Sequence, residues 1–339
     1  MIHKISINVK SIIQKYAIGI VLLVLILLFS VLGRNFFTRQ NMFIILSQVS
    51  LVGIAACGML FVLLIGGIDL AMGGMITFVN VFLAYLIIRM ELPVPVAISI
   101  IFCYAILQGL IVGLLVTKIK ITPFIATLGF MTILRGIAYL ISHGMPIFGF
   151  SPSFTYLGQG FFFGIPVSVL VMTACFIIAG LILNYSYLGR NLIAIGCNEE
   201  AAKLSGINVD NHKILVYIIS AVFCTLSGIV TLSRLNSGAP QTGVGFEFNV
   251  IIACVVGGVS FSGGVATIPG TVIGVIIMGV LINGMALMNM NSYVQDIVRG
   301  IVLVGAVCFD CLQKSRSTRL SKSETQQMLN ASEKETIDY

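Results

Sequence analysis

The chain has 339 residues, 58% of them apolar and 9% charged, with 19 Lys or Arg against 12 Asp or Glu. A soluble domain carries about a quarter of its residues charged, so a soluble enzyme, a disordered chain, a collagen and a disulfide scaffold are excluded. Its apolar runs approach the roughly 20 residues a helix needs to cross a bilayer and do not alternate as barrel strands would, which predicts an all-α polytopic membrane protein.

Along residues 1–15, Ile2, Ile5, Val9, Ile12 and Ile13 share one helical face, with Lys4, Asn8, Ser11 and Lys15 opposite. This pattern predicts an interfacial amphipathic segment. A cleaved signal peptide fits less well, because no A-x-A-like site follows the apolar stretch. From residue 16 to 312, apolar runs between polar breaks predict about ten spans: 16–33, 42–66, 72–89, 94–117, 122–141, 165–185, 214–233, 248–264, 268–288 and 293–312. The Gly-rich eighth run leaves room for a split or re-entrant segment, and residues 313–339 form a polar tail. With the N-terminus inside, Lys4, Lys10, Lys15, Lys118, Lys120, Arg190, Lys203, Lys213 and the basic residues of the tail all fall on one side. The other side receives Arg34, Arg39, Arg89 and Arg234. Positive charge is retained in cytoplasmic loops, so both termini are expected in the cytoplasm. The net charge of +7 is explained by this topology and by anionic lipid, with no need of nucleic acid.

Polar groups at membrane depth are costly and each needs a reason. Asp69 lies between two glycine pairs in Gly66-Gly67-Ile68-Asp69-Leu70-Ala71-Met72-Gly73-Gly74. It belongs either to a bend or gate whose carboxylate pairs with a base or caps a half-helix, or to a short exposed cytoplasmic turn. Arg135 sits within the run from Pro123 to Gly136; it either snorkels to the interface or turns inward as a partner for a solute hydroxyl or for Asp69. Asp296 and Arg299, three apart, are placed to pair along one helix face.

The cysteines lie mostly singly within apolar runs, His3, His143 and His212 are far apart, and Cys308-x-x-Cys311 has no second ligand pair. No metal centre, catalytic cluster or cofactor is expected. The glycines of 257–264 lack the Lys of a phosphate-binding loop. They suit close helix approach or a broken helix instead.

The longest internal hydrophilic loop, 186–213, contains Asn198-Glu199-Glu200-Ala201-Ala202-Lys203-Leu204-Ser205-Gly206. Asn198 is a good N-cap, Glu199 and Glu200 suit the positive end of the helix dipole, and Gly206 is a natural stop. A two-turn helix is predicted there, with Ala201 and Ala202 small enough to seat closely against another protein.

Glu200-Ala201-Ala202, three residues, then Gly206 resembles the front half of the EAA loop by which permeases of ATP-binding-cassette importers dock on their ATPase subunits. The back half departs, since Val216-Tyr217-Ile218-Ile219 replaces Ile-x-Leu-Pro. That departure resembles the monosaccharide branch, as do Gly67-Ile68-Asp69-Leu70, Pro123 to Gly136, Gly257 to Gly270 and Asn283-Gly284, although Ala71 and Met72 stand where the branch more often has Ser and Val. The resemblance spans about residues 40–312. It implies a ribose-type sugar permease of the bacterial inner membrane, forming a homodimer, supplied by an extracytoplasmic binding protein and driven by a separate ATPase. It also implies Asp69, Thr127, Arg135 and Asn283 as translocation-path or gate candidates, with Asn198, Glu199, Glu200, Ala201, Ala202 and Gly206 as the coupling loop. The alternative is an ion-coupled secondary transporter, for which broken helices and one buried acid would suffice.

Overall fold

A computed structural model describes residues 9–33 and 35–312. The helices are α1 (Val9–Leu32), α2 (Arg39–Leu64), α3 (Ala71–Ala84), α4 (Val94–Thr117), α5 (Pro123–Ser142), α6 (Pro152–Gln159), α7 (Val167–Tyr185), α8 (Tyr187–Cys197), α9 (Glu199–Leu204), α10 (Val209–Leu235), α11 (Phe246–Val256) and α12 (Ile268–Leu287). A further helix, α13, runs over 292–312 to the limit of the described residues. A π-helical turn, Tyr85–Arg89, extends α3. Among the described residues seven helical stretches are long and apolar enough to cross a membrane, and Ile18–Leu32 and Phe246–Val256 are shorter apolar helices. Residues 1–8 and 313–339, which carry part of the expected interfacial segment and the whole tail, lie outside the described residues.

The helix boundaries follow local chemistry. Thr38 accepts the Asn41 N–H at the start of α2, and prolines occupy the first turns of α4, α5 and α12, where a missing N–H costs nothing. Centre and periphery differ in pattern. The middle and end of α2 and almost all of α3 are buried on every side, as are most of α10 and α12, whereas α4, α5 and α7 bury one face and leave wide apolar surface outside. A helix apolar all round belongs in the interior or against lipid, and here both occur. In the central pairing of α4 with α10, a Cβ at Gly109 would stand 2.6 Å from Ile218 Cα and one at Gly113 would stand 2.7 Å from Ile214 Cα. Glycine at both places is the condition for that approach.

Three expectations are corrected. The chain is not strictly all-α: β1 (Phe161–Phe162) pairs antiparallel with β2 (Ile165–Pro166). Phe163 and Gly164 both take positive φ, +49° and +79°, the requirement of a tight hairpin turn matched to strand twist. The eighth span does not reach 264, since α11 ends at Val256 and 257–267 is loop and turn. The break in that span also comes earlier than the Gly-rich run, at the entry to α11. Asn236 (φ +52°) ends α10. Gly238 then exchanges hydrogen bonds with Ile147 and backs onto Ala84 and Asn80 of α3. By Gly243 the chain lies against Gly73 and Thr77. From Asn80 to Gly73 is about 10 Å along a helix at 1.5 Å per residue, so the segment descends beside α3 and α11 begins inside the apolar layer. At about 16 Å long, α11 is too short to cross alone. Successive turn bonds, Thr242 N–H to Ala239 O, Val244 N–H to Gln241 O and Phe246 N–H to Gly243 O, satisfy part of the descending backbone.

Candidate functional site

Asp69 is 5% exposed and lies in the link between α2 and α3, so it is not on an exposed turn. Gly66 (φ +72°) turns the chain after α2. The Asp69 carboxylate accepts the Ala71 N–H through Oδ1 at 3.0 Å, helping to cap the start of α3, and the Ser220 hydroxyl of α10 through Oδ2 at 2.6 Å. Thr127 of α5 reaches the same link, its hydroxyl donating to Pro123 O at 2.9 Å and lying 3.3 Å from Ile68 O. The structure thus brings together two of the candidates, Asp69 and Thr127. Gly196, at the end of α8, packs against Leu64 O and Gly264, and the Gly264 N–H donates to Leu64 O at 2.9 Å, so the link also touches α8 and the Gly-rich loop.

Arg135 neither snorkels nor meets Asp69. Its guanidinium donates through Nη2 to both oxygens of Glu247, at 3.0 and 3.3 Å, and approaches Gly243 O at 3.4 Å. The Arg135 side chain is 23% exposed and that of Glu247 2%. Asp69 already has Ser220 and Ala71 as donors, which removes the basis for an Arg135–Asp69 pair. Glu247 stands in the first turn of α11, where a negative charge suits the helix dipole, and its carboxylate occupies the space a Cβ on Gly73 would take. Three elements, α3, α5 and α11, therefore converge on one ion pair, its carboxylate buried, at the tip of the descending segment.

Asn283 does not reach this cluster. Its amide exchanges two hydrogen bonds with that of Asn41, at 3.0 and 2.8 Å, and Asn41 also donates to Phe36 O at 2.9 Å. Both side chains are buried, and the reciprocal pair clamps α12 to the start of α2. Asp296 and Arg299 pair at 2.8 Å along α13, as their spacing predicts.

In the coupling loop, α9 has the expected local form. Asn198 accepts the Ala201 N–H at 3.0 Å, the helix covers Glu199–Leu204, and Gly206 follows with φ +85°. Glu199 receives Lys203 at 2.8 Å and Lys213 of α10 at 2.7 Å. Hydrogen bonds from Lys203 and then Lys213 hold the Glu199 carboxyl below its ordinary value. Ala202 is buried against the protein, Ala201 and Glu200 face outward, and Leu204 is 90% exposed.

Sequence reasoning missed Glu247, Ser220 and Tyr217. For Glu247 the available signal was an acid directly after Gly243-Val244-Gly245-Phe246 in an apolar stretch; starting the span at 248 left it outside by one residue. Ser220 carries no signal in an apolar helix until its partner across the fold, Asp69, is known, and Tyr217 none until the nearness of Gly67 is known.

Long apolar helices packed around a broken one, joined by polar pairs at Asp69–Ser220, Arg135–Glu247 and Asn41–Asn283, define a multi-pass helical membrane protein. Residues 41–307 match the family described as branched-chain amino acid transport system / permease component. The ribose import permease protein RbsC of Haemophilus influenzae is 40% identical over 295 residues, covering 86% of this chain and 91% of that one. The L-arabinose transport system permease protein AraH of Escherichia coli is 39% identical over 306 residues, 90% and 93% of the two chains. The L-arabinose ABC transporter permease protein AraH of Azospirillum brasilense is 35% identical over 310 residues, 91% of each. No solved structure matches significantly. The chain belongs to this family of transport-system permeases: it is a multi-pass transport subunit of the inner membrane, of the importer kind, and not an ion-coupled secondary transporter or an enzyme.

Proposed function

We propose that the chain is the permease of an ATP-binding-cassette importer for a small, ribose-like monosaccharide. An extracytoplasmic binding protein delivers the sugar, and a separate ATPase subunit docks on Asn198 to Gly206. In this reading the chain crosses the bilayer about ten times with both termini in the cytoplasm. Residues 1–15 lie at the lipid interface, 16–312 form the permease domain with its coupling loop at 186–213, and 313–339 form a cytoplasmic tail. A second copy completes the pore. Asp69 and Thr127 form a bend that moves during transport, Arg135 lies on the translocation path, and Asn283 holds the frame in which they move.

The observation that carries this reading is α9: a short helix capped at both ends by its own sequence, exposed on its outer side, and joined to α10 through Glu199 and Lys213. A partner that moves α9 moves α10 with it through the short link 205–208, to which the Glu199–Lys213 bridge adds a contact that can yield. Gly206→Val tests the docking. No atom of the described residues lies within 4 Å of a Cβ at Gly206, so the substitution acts through its left-handed backbone, where a β-branched residue costs about 1–2 kcal/mol or more. The variant is expected to accumulate in the membrane normally while ATPase co-purification falls roughly tenfold, the ratio that about 1.4 kcal/mol corresponds to. If Gly206→Val and Glu200→Lys both leave ATP-driven uptake intact, the docking assignment is wrong.

A further inference from the structure

Tyr217 holds a hydroxyl that this conformation does not use. The residue is 1% exposed, among the largest fully buried side chains, and its phenolic oxygen has no hydrogen-bond partner among the described residues. A buried polar group left unpaired costs about 1–3 kcal/mol, and each instance in a native fold calls for a reason. Phenylalanine would fill the same volume at no such cost. The hydroxyl is therefore free to serve a second conformation.

Its position names the partner. The phenolic oxygen rests against Gly67, where a Cβ would stand 3.0 Å away, in the same short link that carries Asp69 two residues later. Tyr217 and Ser220 are three apart on α10, a spacing that puts them on one helix face, and Ser220 is the residue that now donates to Asp69 at 2.6 Å. Lys213 lies four residues before Tyr217 on that face and is held by Glu199 of α9 at 2.7 Å. One face of α10 thus presents, in order from the α9 end, the grip of the coupling helix, an unused hydroxyl and a used one.

We propose that the Tyr217 hydroxyl is the second seat of the Asp69 carboxylate. When α9 pushes α10 along its axis, away from the α9 end, Asp69 gives up the Ser220 hydroxyl and accepts a hydrogen bond from Tyr217. The two Cα positions differ by about 4.5 Å along the helix, close to the one-turn ratchets by which packed elements exchange partners. Gly66 and Gly67 leave the link free to follow. The carboxylate keeps a donor in both states, so the exchange leaves no charge without a partner at either end. Tyr217 is a positioning residue: it acts on transport through Asp69 and touches no solute. The proposal rests on the reading of Asp69 as a bend that moves during transport.

The test uses the whole importer reconstituted in liposomes with its ATPase and binding protein, with ribose and L-arabinose as probes. Tyr217→Phe removes an oxygen that the observed conformation leaves unpaired, so membrane abundance and thermal stability should be unchanged or raised. Uptake should nevertheless fall at least tenfold, and ATP hydrolysis should cease to rise with loaded binding protein. Ser220→Ala should also impair uptake, by removing the other seat. Wild-type uptake by Tyr217→Phe, with Asp69→Asn impaired, would overturn the second seat and leave the Asp69 bend standing. Wild-type uptake by Asp69→Asn would overturn the bend itself. Loss of stability in Tyr217→Phe in proportion to lost uptake would make the hydroxyl structural and overturn the proposal too.

Discussion

Glu199 and Glu247 both end in short ion pairs, yet they hold the molecule together in different ways. Glu199 is 41% exposed, shares its carboxylate between Lys203 and Lys213, and sits on a helix whose form comes from its own caps. Glu247 is 2% exposed, relies on Arg135, and sits on a helix that begins where the chain has been led down beside α3. Water can replace a lost partner for the first carboxylate. For the second there is no replacement, so a bond of nearly the same length carries a far larger consequence. The exposed pair is suited to yield when a partner protein presses on it, and the buried one to keep a broken helix at a fixed depth.

The largest effect should come from unbalancing the buried pair. Arg135→Met leaves the Glu247 charge uncompensated, and breaking such a pair from one side costs about 3–5 kcal/mol; the variant should extract poorly and unfold at markedly lower temperature. Adding Glu247→Leu should recover much of the loss, because an apolar replacement of both partners is near neutral in many proteins. If the double variant is no more stable than Arg135→Met, the pair is not what holds α5 to α11. Gly243→Ala ranks next. Its Cβ would run into Gly73 O and the Thr77 side chain, and overpacking of this kind costs about 1–3 kcal/mol. Thermal stability should fall while Ala in place of Gly129, with none of the described residues within 4 Å of its Cβ, leaves it unchanged.

These two regions also differ in how far they can be read from the chain. The coupling helix is written in adjacent residues: Asn198 as cap, Glu199 and Glu200 at the positive end, Gly206 as stop. Each acts within a turn of itself, and the helix forms where those signals place it. The descending segment is written in pairs far apart in sequence, Gly238 with Asn80 and Gly243 with Gly73, and no local pattern joins them. Its small and polar residues, Asn236 to Gly245, read as an ordinary outer loop between the spans 214–233 and 248–264, and the break was expected instead among the denser glycines of 257–264. Asp69 lay between the two cases. Its glycine neighbours marked a bend, but its donor, Ser220, is 151 residues away and is one of several serines in apolar helices. Asn283 was legible as a polar residue in a span and illegible as a clamp, because its role is fixed by Asn41 at the other end of the fold.

The smallest expected effect falls on Glu199, and it separates the two kinds of pair most finely. Glu199→Gln keeps the length of the side chain and one acceptor oxygen while removing the charge. An exposed bridge such as that to Lys213 is worth about 0.2–1 kcal/mol, so ATPase co-purification should drop by no more than about fivefold and permease stability should hardly change. The lysine bonds place the Glu199 carboxyl below its ordinary value. Its contribution is therefore complete above the unfolded value, near 4.5, and disappears as pH falls through the lower, folded one. Between neutral pH and about 5 the wild-type docking strength should stay flat with respect to this group. Salt gives the sharper comparison: raising ionic strength from about 0.05 to 0.5 M screens exposed pairs, so the gap between wild type and Glu199→Gln should close, while the cost of Arg135→Met should persist because the Glu247 carboxylate it strands is buried. A Glu199→Gln deficit that survives high salt would mean that α9 is held to α10 by a buried contact of the Glu247 kind, and the division between yielding and fixed pairs would have to be redrawn.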